Sequence, residues 1–93
     1  MITKVIISKY AKKQILKLPR YIIEKLTAWV ESVEKEGLME VRKISGFHDE
    51  PLKGDRVGER SIRLSRSYRA IYVIKENNQV EFVSVEEVNK HDY

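Results

Sequence analysis

The sequence has no cysteine, only two prolines and four glycines, and no long apolar run. Without cysteine there is no disulfide framework and no thiolate zinc site. Small secreted domains usually rely on disulfides, so this absence points to a cytoplasmic address. No stretch approaches the ~18 apolar residues of a membrane span, and the N-terminus lacks a signal-peptide layout. The scarcity of proline and glycine, with 42% hydrophobic residues, excludes a disordered or low-complexity chain. No repeat or linker breaks the 93 residues, which are expected to form a single domain, 1–93.

Charge of one sign is in moderate excess, with 18 basic against 14 acidic residues. The stretch from Lys53 to Arg69 stands out. It carries Lys53, Arg56, Arg60, Arg63, Arg66 and Arg69 against Asp55 and Glu59. Arginine suits phosphate because its planar fork donates paired hydrogen bonds and keeps its charge. The alternative is an ordinary solvated surface.

Ile2 to Ile7 is β-branched and reads as a strand. Ser8 is placed to cap a helix over Lys9–Leu18. Tyr21 to Glu36 carries the strongest helical signal. Ile22, Leu26, Trp29, Val30 and Val33 form one stripe, and Gly37 follows as a stop. A short third helix is expected over Leu38–Ile44, then a loop over Ser45–Pro51. The pattern then alternates. Strands are predicted over Glu59–Ser65, Tyr68–Glu76 and Gln79–Val88, with a tight turn at Asn77-Asn78. Helices followed by hairpin-linked strands predict an α+β fold. An N-terminal strand and two or three helices should pack on one face of a mainly antiparallel, four- to five-stranded sheet.

Alternation sorts the side chains. Ile62 and Leu64 point one way; Ser61, Arg63 and Ser65 point the other. Arg69 shares a face with Ile71 and Val73, where an unpartnered charge is costly. Either an ion pair or an anion satisfies it. The polar loop holds His48, Asp49 and Glu50, and Glu50 has the chemistry of a general base. The last four residues, Lys90-His91-Asp92-Tyr93, offer a cation, an imidazole, a carboxylate and a phenol, or else form a polar end. His48 and His91 match no helical zinc motif, and neither a metal nor a cofactor is expected.

These residues fit metal-independent RNA cleavage. A base takes the 2′-hydroxyl proton, the oxygen attacks the adjacent phosphorus, an acid protonates the leaving 5′-oxygen, and a fixed cation stabilises the phosphoryl charge. DNA lacks the attacking hydroxyl.

The stretch DEPLKGDRVGERSIRLSRSYRAIYVIKE (Asp49 to Glu76), closing with VEEVNKHDY (Val85 to Tyr93), resembles the RelE/HigB/YoeB superfamily of bacterial type II toxin-antitoxin toxins, and its LKG…RSIRL…YRAIY core the HigB-like branch. The resemblance implies an endoribonuclease, an mRNA interferase that cuts messenger RNA in the ribosomal A site and so inhibits translation. It implies neutralisation by an antitoxin, a small helix-turn-helix or similar protein, with the free toxin monomeric and the complex hetero-oligomeric. Glu50 and Lys53 match the family's catalytic glutamate and basic residue, Arg69 the phosphate-stabilising arginine, and Tyr93 the C-terminal tyrosine. His91 and Asp92 compete for the acid/base position. Arg56, Arg60, Arg63 and Lys90 match the RNA-facing surface more loosely. A ParE-like gyrase poison on the same fold and a non-catalytic RNA- or ribosome-binding domain are the rival readings.

Overall fold

The computed structural model describes residues 1–88. Strand β1 (Lys4–Ile7) leads into α1 (Lys9–Ile15), α2 (Arg20–Glu36) and the one-turn α3 (Leu38–Val41). Strands β2 (Glu50–Pro51), β3 (Arg60–Arg63), β4 (Tyr68–Ile74) and β5 (Gln79–Glu87) follow. The five strands form one sheet in the order β1-β5-β4-β3-β2. The β1–β5 pair is parallel and the other three are antiparallel, as expected of a mainly antiparallel α+β sheet.

Local chemistry sets the element ends. Ser8 caps α1, its Oγ accepting from the Ala11 amide at 3.1 Å. Helix α1 stops at Ile15, short of the expected Leu18, because Pro19 begins the next helix as its N-cap. Gly37 ends α2 at φ 89°, where a Cβ would meet the Met1 side chain at 2.7 Å. The third helix ends at Val41, not Ile44. The stretch expected as loop is partly regular. Ser45–Phe47 makes a 3₁₀ turn, His48 adopts a left-handed conformation at φ 47°, and Glu50–Pro51 pairs with β3. The hairpin before β5 closes through Glu76, Asn77 and Asn78, with Asn78 left-handed at φ 58°.

The helices cover one face of the sheet. Ala11, Ile22, Leu26, Trp29, Val33, Leu38 and Val41 pack against Ile62, Leu64, Ala70, Tyr72, Val80, Phe82 and Val85. Trp29, Tyr72 and Phe82 form the centre, with ring centroids 5.2 to 6.0 Å apart. Both Phe82 and Val85 belong to this core although three positions separate them. The reason is a bulge. Ile71 pairs with Ser84 but Tyr72 pairs with Phe82, so Val83 is an extra residue. The Val85 amide freed nearby donates to Gln14 Oε1 of α1 at 2.7 Å. Past the bulge, Ser84 and Glu86 lie on the face away from the helices.

Candidate functional site

On that second face the strand register gathers charged residues. Glu50 pairs with Ser61, Ser61 with Ile71, and Ile71 with Ser84. One step along, Arg63 pairs with Arg69, and Arg69 pairs with Glu86. Antiparallel partners share a face, so Glu50, Arg63 and Arg69 stand on one surface on three adjacent strands. A cleft of about 150 Å³ opens there. Its lining includes His48, Glu50, Ser61, Arg63, Arg66 and Arg69, closed at one end by the β3–β4 turn and Val88.

Arg69 is held from one side. Its Nη2 donates to Glu86 Oε1 at 3.1 Å. Arg56, in the turn that precedes β3, donates to the same carboxylate at 3.2 and 2.7 Å, and its Nε donates to Glu59 at 2.8 Å. Ser84 Oγ donates to Glu86 at 3.1 Å. Hydrogen bonds from Arg56, and then from Arg69 and Ser84, pull the Glu86 carboxyl down to about 2 despite its partial burial. Arg56, so paired, is held well above its ordinary range. Arg69 Nε is one of two buried side-chain polar atoms among the described residues with no hydrogen-bond partner. A guanidinium has five N–H donors, and Arg69 commits one to Glu86. The site is short of acceptors where an anion would supply them.

A second network fixes the strand that carries Glu50. The Asp49 side chain is fully buried. It accepts from Arg60 Nε at 2.7 Å and from Tyr72 Oη at 2.6 Å. Burial, and then the Asp49 carboxylate, push the Tyr72 phenol well above its ordinary value. Arg60 is shifted upward by Asp49 against the opposing effect of burial. Asp49 thereby ties β2 to β3 and β4 immediately before Glu50.

The structure thus brings together Glu50, Arg63 and Arg69 of the residues singled out in the sequence. Arg56 meets them only through Glu86. Arg60 is on the opposite, helix-covered side with Ile62, engaged with Asp49. Lys53 is exposed beyond β2 and does not line the cleft. Lys90, His91, Asp92 and Tyr93 lie outside the described residues. Glu86 and Asp49 were not singled out. Glu86 needs the bulge to face Arg69, and no residue type announces that bulge. A signal in the sequence could have found Asp49, since Arg60 on the apolar parity of β3 demands a buried partner. Among the described residues no three His, Asp or Glu side chains are grouped to hold a metal, and no helix is long and apolar enough to cross a membrane.

No protein-family model matches the sequence, and no curated protein matches it by sequence. The architecture does have solved counterparts: it is the fold of the RelE/YoeB group of toxin-antitoxin toxins. The archaeal RelE–RelB complex from Pyrococcus horikoshii OT3 matches with a TM-score of 0.73 and 20% identity, covering 97% of this chain and 99% of that one. YafQ from E. coli strain BL21(DE3) matches at 0.72 and 15%, covering 90% and 91%. The YoeB/ParE toxin from Agrobacterium tumefaciens matches at 0.70 and 17%, covering 92% and 99%.

Proposed function

We propose that this chain is the toxin of a type II toxin-antitoxin pair and a metal-independent endoribonuclease. The observation that carries the reading is the apposition of Arg63 and Arg69 beside Glu50 in one cleft. Two guanidinium groups side by side repel one another and are stabilised by a bound anion. A carboxylate within the same cleft supplies the base.

In the proposed reaction Glu50 takes the proton from a 2′-hydroxyl. The 2′-oxygen attacks the adjacent phosphorus, the bond to the 5′-oxygen breaks, and an acid returns a proton to that oxygen. The products are a 2′,3′-cyclic phosphate and a 5′-hydroxyl. Arg69, steadied by Glu86, faces the charge that builds on the phosphoryl oxygens, and Arg63 binds the RNA backbone. Arg56 acts through Glu86, and Arg60 through Asp49, as positioning residues. His91, Asp92 and Tyr93 are proposed for the acid role, with Lys53 and Lys90 at the edge of the RNA path.

The substrate is proposed to be messenger RNA in the ribosomal A site, because a site this sparse gains from having its substrate oriented by other groups. An antitoxin partner is supported by solved complexes of the same fold, RelE with RelB and YoeB with YefM. The HigB-like assignment rests on the sequence core, and a cytoplasmic address follows from the proposed substrate.

The test is induction of wild type and Arg69→Ala, with mapping of mRNA 5′ ends and a supercoiling assay on purified DNA gyrase. New 5′-hydroxyl ends with wild type alone are expected. Growth arrest without RNA cutting, accompanied by gyrase inhibition, would sink the nuclease reading.

A further inference from the structure

The net positive charge of this chain has one source. Six of the 18 basic residues (Lys4, Lys9, Lys12, Lys13, Lys17 and Arg20) and none of the 14 acidic ones precede Glu24. The other 70 residues hold 12 basic against 14 acidic and are slightly negative. The arginine-rich stretch is therefore not what makes the molecule basic: Arg56 pairs with Glu59 and Glu86, Arg60 with Asp49, and Arg69 with Glu86.

The early cations are arranged on and around α1. Lys9, Lys12, Lys13 and Lys17 are exposed, and none forms an ion pair among the described residues. By contrast, α2 intersperses Arg20, Lys25 and Lys35 with Glu24, Glu31, Glu34 and Glu36, the ordinary mixed surface of a soluble helix. Helix α1 packs on β5 from the side opposite the cleft, with Ala11 in the core and Gln14 bonded to Val85. The lysines of α1 and its flanks thus stand on the far side of the sheet from the proposed cutting site, beside the mixed-charge surface of α2.

We infer that α1 and its flanks form a second polyanion-binding surface, which docks the protein on the phosphate backbone of structured RNA while the cleft engages the strand to be cut. The inference rests on the nuclease reading for its role and deepens it by naming how the substrate-bearing particle is held. Lysine suits the task, since a flexible point charge grips phosphate without demanding a geometry. A protein partner is less well served here. The exposed apolar side chains of α1 and its C-cap, Tyr10 and Leu16, are six residues apart and so about 120° apart around the helix axis, which leaves no continuous apolar seam. A protein with cations on both sides fits between RNA elements, as at a ribosomal site.

The experiment compares Lys12→Gln/Lys13→Gln/Lys17→Gln with the corresponding triple Lys→Arg variant, each in the wild-type and the Arg69→Ala chain. Binding to purified 70S ribosomes and to a short RNA duplex is measured as a function of salt, with circular dichroism to verify folding. The glutamine variant should bind ribosomes at least tenfold more weakly, with a salt slope shallower by about three. The arginine variant should bind like its parent, and the difference between the glutamine and arginine variants should be the same in the Arg69→Ala background, whatever Arg69 itself adds to binding. Equal ribosome affinity and slope in the glutamine variant overturn the inference and leave the cleft chemistry standing. Unchanged ribosome binding with lost binding of poly-L-glutamate overturns it in favour of an acidic protein partner. Ribosome binding through α1 without RNA cutting by any form would instead defeat the nuclease reading alone.

Discussion

Arg63 and Arg69 face each other directly across the β3–β4 pair. Like charges opposed on neighbouring strands destabilise a sheet, so this pairing is a cost the fold carries. Arg63→Gln removes the repulsion and should raise stability by about 0.5 kcal/mol, a Tm increase of about 2–4 °C. The same change should weaken RNA binding. A calorimetric scan paired with a cleavage assay checks both, and a drop in Tm with intact cleavage would contradict the assignment.

Glu50 is exposed and makes no side-chain hydrogen bond among the described residues. Glu50→Gln should therefore leave the melting temperature within about 0.5 kcal/mol of wild type. As the proposed base, its loss should slow cleavage by about 10²- to 10⁴-fold. Single-turnover kinetics with programmed ribosomes give the comparison.

Glu86 links Arg69 to Arg56 and Ser84, and its carboxyl lies near 2 against an ordinary 4.5. A depressed carboxylate stabilises the fold fully above pH 4.5, and that contribution is lost as pH falls through the folded value. Acid unfolding of wild type should thus include a component between about pH 5 and 2. Glu86→Gln should lack it. The variant should also lower kcat more than it raises KM, because Arg69 is retained but no longer held. Identical acid titrations of the two proteins would show that the network adds nothing.

Tyr72 donates to a carboxylate with no solvent contact. Tyr72→Phe keeps the ring between Trp29 and Phe82 but leaves Asp49 to Arg60 alone. The expected cost is about 1–3 kcal/mol, measured by urea denaturation. Because Asp49 precedes Glu50, cleavage should fall as well, and a stable variant with full activity would refute the link between this anchor and the site.

The periodic parts of the chain were legible. Apolar spacing in α2 located Ile22, Leu26, Trp29 and Val33 in the core, and alternation put Arg69 on the face opposite Ala70 and Tyr72. Element ends were read less well where a single neighbour decides them, as at Pro19. Glu50 looked like loop because β2 is two residues long, too short to show a period, and it exists only through its pairing with β3. Arg60 followed the wrong analogy. Its parity with Ile62 places it on the helix side, although its composition grouped it with the other arginines. Glu86 was hidden by the bulge, since simple alternation from Phe82 would align it with the core residues.

That extra residue, Val83, makes the end of the sheet a matter of counting rather than of composition. Were it taken into the ladder opposite Ile71, Val85 would come opposite Arg69 and Glu86 would turn toward the helices, while every side chain before it kept its place. A chain of the same composition but with regular pairing there would thus lose the acidic partner of two arginines. Deleting Val83 removes only the unpaired residue, so Ser84, Val85 and Glu86 should keep their present faces and both arginines their acidic partner.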